Sequence, residues 1–452
     1  MGFMNIHDVL IMDNEENVYS LYMYEKKIKM IFYDKKNGKV DKKLILNNCL
    51  DEYDATISKA GIVYLVSQKI DGSIVLTSIE GERQEENILA EEFEGKLRNL
   101  NIRVINDTIH IIYCLESQES NNRFRIFHHS LLGDKWDTNI ITDITIRDIL
   151  NPINLIQLED KLIIGYYDIV NDYEQVFINV YDLANSNWSN KIQLTTDNFM
   201  KLYLDMISNN KNEIDLCYSK LVENNFVITY EKYYLSDVNF TKTIEHALSN
   251  PANCMYPTFI YAGEILWVIW IEFNRLLSCY SDDGGISWSS LYSWESSKKD
   301  NFARYKFSTN NNSIANIYNF NYGFGTYGEV ISFIGFGDIE NAIEVPLKSK
   351  VKKKEDDEDL EDINEVEDTS EKEVISIEEG SQVKKEIQEL KEKVEVMEKA
   401  LKTIAELIEN KISESIIQEE ESSKDIEKIE DIEKRLLDIE NYLNRRRRGF
   451  IR

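Results

Sequence analysis

The chain's densest group of histidine and cysteine side chains, which can ligate a metal, lies within the stretch 110–129. Its members are His110, Cys114, His128 and His129. A metal site needs three or four ligands that converge at fixed distances, and no close pair such as C-x2-C occurs in this sequence. If the connection at 116–123 is a symmetric hairpin loop, His110 faces His129 across two paired strands. We therefore expect packed or surface histidines, and we predict no metal and no cofactor.

A second candidate site is the glycine-rich segment 323–328, which reads GFGTYG. It contains no lysine and no helix is expected after it, so it does not fit a phosphate-binding loop. We interpret it as a mobile aromatic loop between two strands, able to stack on a sugar or on a protein partner. The aromatic residues in and beside this loop are Phe320, Tyr322, Phe324 and Tyr327.

The charge balance excludes several classes of function. The chain has 52 Lys and Arg against 81 Asp and Glu, a net charge of −29. Proteins that bind nucleic acids neutralise phosphates with basic residues, so a nucleic-acid partner is not expected. No apolar run approaches the length of about 18 residues that spans a bilayer, so we expect no membrane span. The first residues lack the pattern of a secretory signal peptide.

The five cysteines are odd in number and widely scattered, which favours buried, reduced thiols over a disulfide framework. We therefore expect a cytoplasmic protein, or a component of a particle that is assembled inside the cell.

Composition changes sharply near residue 347. Of the 49 aromatic residues, 47 precede this point, and residues 351–380 carry 4 Lys against 14 Asp and Glu. Such a segment cannot bury enough apolar surface to offset its chain entropy. We predict a domain over residues 1–346 and a disordered acidic linker over residues 347–380. The linker is either a solvated spacer or an interaction tail.

Residues 381–446 have the period of a coiled coil, with a break near residues 411–425. The a and d positions before the break form an apolar seam of Val383, Ile387, Leu390, Val394, Met397, Leu401, Ile404 and Ile408. This heptad pattern predicts self-association, as a homodimer or a homotrimer. An antiparallel helical hairpin within one chain is the alternative.

The chain ends in a basic tail, residues 447–452, which continues an arginine run. Its cations are Arg445, Arg446, Arg447, Arg448 and Arg452. Cations stabilise the negative end of a helix, which is one role for the tail. The other role is docking to an acidic surface, an anionic lipid or the acidic linker of another copy.

An internal repeat organises the first domain. Each unit has an apolar strand, a turn, a second strand, a turn and a third strand, and the second strands are 44 to 53 residues apart. These strands centre on Tyr19, Val63, His110, Ile163, Asp215, Leu266 and a position near Ala315. Short strands in units of about 50 residues are typical of propeller blades. We predict an all-β fold, a seven-bladed β-propeller, with six blades as the alternative.

The turn after the third strand of the sixth unit is the most specific motif. It reads SDDGGISW over residues 281–288 and fits S-x-D-x-G-x-x-W. Asp283 can accept hydrogen bonds from turn amides, Gly285 can take a positive φ, and Trp288 can fill the gap between strands. Ser281 can bond locally to the backbone. Residues 5–346 thereby resemble the sialidase-like β-propellers with Asp-box (BNR) repeats.

The resemblance to sialidases implies an arginine triad, a Tyr–Glu nucleophile pair, an acidic acid/base residue and a Phe/Tyr-Arg-Ile-Pro motif in the first blade. This sequence has no arginine before Arg83, and the similar Phe124–Phe127 (FRIF) falls in the third strand of the third unit. We assign no catalytic residues and expect a non-catalytic recognition or scaffold protein. A lectin-like glycan-binding module is the alternative, and a sialidase is the less favoured one. The protein or glycan that it binds is not identified.

Overall fold

The computed structural model describes residues 2–347, except for residues 92, 118–121, 134, 148, 211, 237–238 and 329. Within these residues the chain is almost entirely β-structure, as the repeat predicts. The predicted linker, the coiled-coil seam and the arginine-rich tail lie outside the described residues. They remain predictions.

The first two sheets are built from consecutive strands. The first sheet begins with β1 (Phe3–Met4), β2 (Val9–Met12), β3 (Val18–Tyr24), β4 (Lys27–Asp34) and β5 (Lys39–Asn47). The second sheet consists of β6 (Cys49–Ile57), β7 (Val63–Lys69), β8 (Ile74–Glu80) and β9 (Arg83–Ala90). Strands β2 to β5, and β6 to β9, pair in sequence order and antiparallel.

The next three sheets repeat this plan. The third contains β10 (Leu97–Ile105), β11 (Thr108–Glu116), β12 (Arg123–Leu132) and β13 (Lys135–Thr145). The fourth contains β14 (Asn154–Leu158), β15 (Lys161–Val170), β16 (Tyr173–Asp182), β17 (Asn187–Trp188) and β18 (Ile192–Gln193). The fifth contains β19 (Lys201–Asn210), β20 (Glu213–Val222), β21 (Asn225–Ser236) and β22 (Asn239–Ala247).

The sixth sheet and the last described segment interleave. The sixth sheet begins with β23 (Cys254–Ala262), β24 (Ile265–Glu272), β25 (Arg275–Ser281) and β26 (Leu291–Trp294). The chain continues through α1 (Ser296–Lys299), β27 (Phe302–Thr309), α2 (Asn312–Ile317), β28 (Tyr318–Asn319), β29 (Tyr322–Thr326), β30 (Phe333–Ile334), a 3₁₀ turn (Ile339–Asn341) and β31 (Ala342–Val345). Strands β28 and β31 join the sixth sheet, whereas β27, β29 and β30 join the first.

Tight hairpins set the register of the strands. Several two-residue turns have positive φ at both residues, among them Asn106–Asp107, Asn171–Asp172 and Glu223–Asn224. Such turns match the right-handed twist of the strands that they join, and Asn and Asp tolerate this backbone well. The hairpins therefore hold each second strand in line with its neighbours.

Six apolar cores lie between successive sheets and close them into a ring. One core joins the first sheet to the second through residues such as Leu21 and Tyr53. Further cores join the second to the third, the third to the fourth, the fourth to the fifth and the fifth to the sixth. The last joins the sixth sheet back to the first through Trp267 and Phe302. A closed ring of twisted sheets is a β-propeller.

The prediction of seven blades is not confirmed, because the described residues form six sheets. The expected second strand of a seventh unit, near Ala315, is the helix α2, whose N-cap Asn311 accepts hydrogen bonds from the amides of Ser313 and Ile314. Strand β27 instead pairs in parallel with β2, with Val9 opposite Lys306. The last strands of the domain therefore complete the first sheet.

Candidate functional site

The first strands of the sheets lie next to one another around the axis of the ring. Register shifts interrupt four of them, between Cys49 and Tyr53, Arg98 and Asn101, Leu202 and Asp205, and Met255 and Thr258. Such bulges bend a strand and redirect its side chains. Three residues at these bulges have left-handed backbone, with φ of 51° at Asn99, 58° at Tyr203 and 52° at Tyr256. Asparagine tolerates this conformation, whereas for a tyrosine it is strained, and strained residues concentrate at functional sites.

Polar side chains from these strands meet at the axis, and we call them the axial polar ring. Its members are Asp54, Asn101, Asn154, Asp205, Thr258, Arg304 and Lys306, of which the first six follow one another at about the period of the repeat. Six of the seven are buried, and Arg304 is partly buried. Buried polar groups are tolerated only where they are paired, so their partners define what the ring does.

Lys306 joins the first sheet to the second and third. Its Nζ lies 2.5 Å from Asp54 Oδ2 and donates a hydrogen bond of 2.9 Å to Asn101 Oδ1. The amide of Ile102 donates to the same Asp54 oxygen at 2.7 Å. Burial lowers the pKa of Lys306 to about 8 although Asp54 opposes this shift. The ion pair is thus a fully enclosed link between three sheets.

Arg304 makes the corresponding link to the fifth and sixth sheets. Its Nε donates to Thr258 Oγ1 at 2.9 Å, and its guanidinium lies 3.9 Å from Asp205 Oδ1. Asp205 Oδ2 accepts the amide of Phe259 at 2.8 Å. Burial raises the pKa of Asp205 to about 6, with Arg304 acting in the opposite direction. The guanidinium also lies 3.9 Å from the centroid of the Tyr322 ring.

Asparagine side chains beside the axis link the fourth sheet to the third and fifth sheets. Asn154 Nδ2 donates to the carbonyl of Leu204 at 2.6 Å. Asn99 Nδ2 donates to the carbonyl of Asn151 at 2.9 Å, and the amide of Tyr203 donates to Asn151 Oδ1 at 3.1 Å. Every pair of adjacent sheets is therefore bridged by a side chain at or beside the axis.

A cavity of about 220 Å³, the N-terminal mouth, opens where the first strands begin. The residues that line it include His7, Glu52, Asn99, Asn101, Tyr256, Arg304 and Tyr322. Its walls thus combine the aromatic rings of Phe3, Tyr256 and Tyr322 with planar amide, carboxylate and guanidinium groups. Burial raises the pKa of Tyr322 to about 12 despite the nearby Arg304, so this phenol stays protonated at neutral pH.

The four aromatic residues predicted to form one ligand loop are separated in the structure. Tyr322 and Phe324 lie in the strand β29, which pairs with β27 and is not a mobile loop, whereas Phe320 precedes this strand and Tyr327 follows it. Tyr322 lines the N-terminal mouth, whereas Phe320 lines a cavity at the opposite end of the axis. Phe324 is fully buried, and Tyr327 is 47% exposed. Of the four, Tyr322 alone lies in the N-terminal mouth.

The histidine group is packed inside the protein in a register different from the expected one. His110 lies opposite Ser130 and not His129, and its Nδ1 is 2.9 Å from His128 Nε2. Burial lowers the pKa of His110 to about 4 and that of His128 to about 3. Among the described residues, no group of three His, Cys, Asp or Glu side chains is placed to hold a metal ion.

The turn at 281–288 is held by its own side chains. Asp283 Oδ1 accepts from Ser281 Oγ at 2.7 Å and from the amide of Ser287 at 2.9 Å. Gly285 has φ of 90°, and its amide donates to Ser281 Oγ at 2.7 Å. Trp288 packs edge-on against Tyr230 of the fifth sheet, with ring centroids 4.9 Å apart. The turn thus contributes to the core between two sheets.

The remaining sequence candidates lie away from the axis. Residues 124–127 belong to β12, the third strand of the third sheet, as predicted. Arg125 forms an exposed ion pair of 2.6 Å with Asp143. The five cysteines are buried and free of disulfides. No helix in the described part of the chain has the length and apolar character that crossing a membrane requires.

The axial polar ring itself was missed by the sequence interpretation. Its signal is a polar residue in the first strand of each of five sheets and in β27, recurring 47 to 53 residues apart at Asp54, Asn101, Asn154, Asp205, Thr258 and Lys306. A buried polar position that follows the period of the repeat is expected to face the common axis. The contacts between these residues, which are far apart in sequence, are not readable from the spacing.

No family model matches this chain, and no curated protein matches it. Among solved structures, it is similar to a polysaccharide lyase of family PL25, an ulvan lyase bound to -[GlcA(1-4)Rha3S]-, with a TM-score of 0.50 and 10% identity over 68% of this chain and 88% of that chain. Polysaccharide lyase Uly1 has a TM-score of 0.44 with 11% identity over 64% and 81%. The six-bladed fucose-binding lectin of Aleuria aurantia has 0.39 with 12% identity over 64% and 95%. At 10–12% identity these likenesses concern the fold alone.

Proposed function

We propose that the propeller is a non-catalytic recognition module that binds a saccharide in the N-terminal mouth. The observation that carries this proposal is the convergence of aromatic and planar polar side chains on one preformed cavity. Tyr256 and Tyr322 supply the rings, and Glu52, Asn99 and Arg304 supply the polar groups. The left-handed backbone at Asn99 and Tyr256 fixes two of these residues in place before any ligand arrives.

The chemistry of a sugar fits this set of groups. A pyranose ring presents an apolar face of C–H groups, which packs on an aromatic ring, and hydroxyls around its edge that both donate and accept hydrogen bonds. Amide and carboxylate groups accept from two hydroxyls at once, and a guanidinium donates in a fixed fork. The size of the cavity, about 220 Å³, suits one sugar unit at the end of a chain.

Two features favour binding over catalysis. Glycoside hydrolases usually act with a pair of carboxylates, and Glu52 is the one carboxylate among the described residues that line the mouth. The raised pKa of Tyr322 also makes this phenol a poor base near neutral pH. The mouth therefore suits a lectin-like role better than a hydrolytic one.

A glycan array probed with the full-length protein tests the proposal. We expect a set of structurally related glycans, lost in Tyr256→Ala and retained in the control Tyr24→Ala, whose ring is 53% exposed on β3. An array without saccharide signals, or signals equal in both variants, would overturn it. Mass spectrometry of the bound glycans after incubation checks the second half of the proposal, since shortened products would mean that the protein is an enzyme.

The C-terminal region extends this proposal to an assembled protein. We propose that residues 381–446 join two or three chains and that the acidic linker separates the propellers from this stalk. Several weak sites on one particle bind a repetitive surface far more tightly than one site does. This arrangement suits a scaffold in the cytoplasm or in a particle assembled there. We further propose six blades, one for each sheet, with the turn at 281–288 as an Asp-box of the sialidase-like type.

A further inference from the structure

A second cavity, of about 320 Å³, lies where the first strands of the sheets end, and we call it the C-terminal mouth. Its lining includes Thr56 of β6, Val104 of β10 and Ile156 of β14. Residues that lie earlier in these three strands, or just before them, line the N-terminal mouth. The segment before β29 lies across this end of the axis. Asn319 Nδ2 donates to the carbonyl of Ser208 at 2.8 Å, and Asn321 Nδ2 approaches that of Met206 at 3.4 Å. These bonds fix the wall of the cavity.

Arg103 is the only charged side chain among the described residues that line the C-terminal mouth. In a chain with 81 Asp and Glu residues, a cavity of this size without any carboxylate in its described lining is distinctive. The cavity is therefore electropositive at this point although the protein as a whole is strongly acidic. Local charge of one sign in a low-dielectric cleft selects ligands of the other sign.

The guanidinium of Arg103 retains capacity to bind. A guanidinium has five N–H donors, and those of Arg103 reach two protein acceptors, the carbonyl of Ile102 at 3.0 Å and Asn321 Oδ1 at 3.3 Å. Arg304, the other partly buried arginine of the axis, has a carboxylate beside it in Asp205. Arg103 forms no ion pair with a described residue. Its remaining donors are the natural partners of a planar anion.

Three aromatic side chains also line the cavity. Phe307 and Phe320 stack with ring centroids 4.6 Å apart, and Tyr318 lies on the same wall. An occupant thus meets one cation and a pair of stacked aromatic rings. We propose that the C-terminal mouth is a second binding site, for a small organic carboxylate with an aromatic or apolar body. The carboxylate pairs with Arg103, and the body packs against the phenylalanines. This inference does not depend on the saccharide site at the opposite end.

Fluorine NMR with 4-fluorobenzoate as the probe, on the full-length protein, tests this site. We expect saturable binding that weakens at least about tenfold in Arg103→Gln, because charge-assisted hydrogen bonds are lost. The neutral isostere 4-fluorobenzamide should bind at least about tenfold more weakly than the benzoate to the wild type. Arg98→Gln is the matched control, since Arg98 is exposed on the same strand. Arg103→Lys keeps the charge without the fork and should give an intermediate affinity.

The proposal is overturned if 4-fluorobenzoate does not bind, if the amide binds as well as the acid, or if Arg103→Gln binds as tightly as the wild type. Thermal melting of each variant shows whether it remains folded. If Arg103→Gln unfolds, the comparison of Arg103→Lys with the wild type and the comparison of acid with amide decide the question.

Discussion

The guanidinium of Arg304 lies 3.9 Å from the centre of the Tyr322 ring, one strand away in the first sheet. The contact places a cation against an aromatic face at the floor of the N-terminal mouth. Arg304 also reaches Thr258 and Asp205, so this contact connects the candidate binding surface to two other sheets. The same residue therefore serves both the closure of the ring and the proposed saccharide site.

The ion pair between Lys306 and Asp54 should be essential for stability. Lys306→Met leaves the Asp54 carboxylate buried without a cation, and we expect a loss of about 3–5 kcal/mol in the free energy of unfolding. In Lys306→Met/Asp54→Asn most of this loss should be recovered, because the uncompensated charge is gone. Urea denaturation of the wild type, both single variants and the double variant measures the coupling. Additive effects of the two substitutions would contradict this account.

The histidine pair predicts how stability depends on pH. The indole of Trp188 donates to His128 Nδ1 at 3.1 Å, so His128 carries its proton on Nε2 and donates it to His110 Nδ1. This leaves His110 Nε2 buried without a partner. Both pKa values lie below that of a free histidine, so the unfolded chain binds protons that the folded one does not. The histidines' contribution to stability is therefore complete above about pH 6.5 and declines as pH falls through the folded-state pKa values of about 4 and about 3.

Melting temperatures at pH 7.5 and pH 5.5 check this expectation. The decrease between the two values should be smaller in His110→Phe than in the wild type, because one of the two buried titrating groups is removed. His246→Phe is the control, since His246 lies on β22, outside the chain of hydrogen bonds. An equal decrease in His110→Phe and the wild type would contradict the assigned cause.

Substitutions at two glycines with positive φ distinguish the free-energy cost of backbone strain from the cost of close packing. A Cβ at Gly285 would lie 2.0 Å from Tyr230 Oη, whereas a Cβ at Gly38 would meet nothing within 4 Å. We expect Gly38→Ala to cost about 1–2 kcal/mol from its backbone conformation alone. Gly285→Ala should cost a further ~1–3 kcal/mol, because Tyr230 must move and its bond to Asp215 is disturbed. Urea denaturation measures both, and equal losses would show that Tyr230 does not constrain the turn.

The apolar seam at 383–408 predicts that chains associate, so the mass in solution should be a multiple of the mass of one chain. Leu390→Asp together with Leu401→Asp places two carboxylates in the apolar seam and should release monomers. Light scattering at micromolar concentration is expected to give a multiple of 52.9 kDa for the wild type and the monomer mass for the variant. A monomer mass for the wild type would mean that the helices fold back within one chain.

The sequence repeat predicts the second strands of the six sheets, since Tyr19, Val63, His110, Ile163, Asp215 and Leu266 all lie in strands that follow the first strand of their sheet. It fails near Ala315, where the helix cap at Asn311 and the distant pairing of β27 with β2 determine the structure. Periodicity reports local alternation and cannot show that the two ends of a domain share one sheet.

The glycines of residues 323–328 show a second limit of prediction from the sequence. They suggested a loop, yet Gly323 and Gly325 lie in β29, where a Cβ would come within 2.8 Å of Phe333 and 3.1 Å of Ile331 respectively. Glycine there allows close packing of a strand rather than flexibility. The site itself was partly within reach of the sequence, because Tyr322 was a candidate. Arg304 and Glu52 could be recognised only once the strands were arranged around one axis.

A crystal structure of the full-length protein with a saccharide selected on the glycan array tests the central claim most directly. The account predicts a sugar ring in the N-terminal mouth, packed on Tyr256 or Tyr322 and hydrogen-bonded to Arg304 or Glu52. A saccharide bound between two sheets at the rim of the propeller, or in the C-terminal mouth, would contradict it.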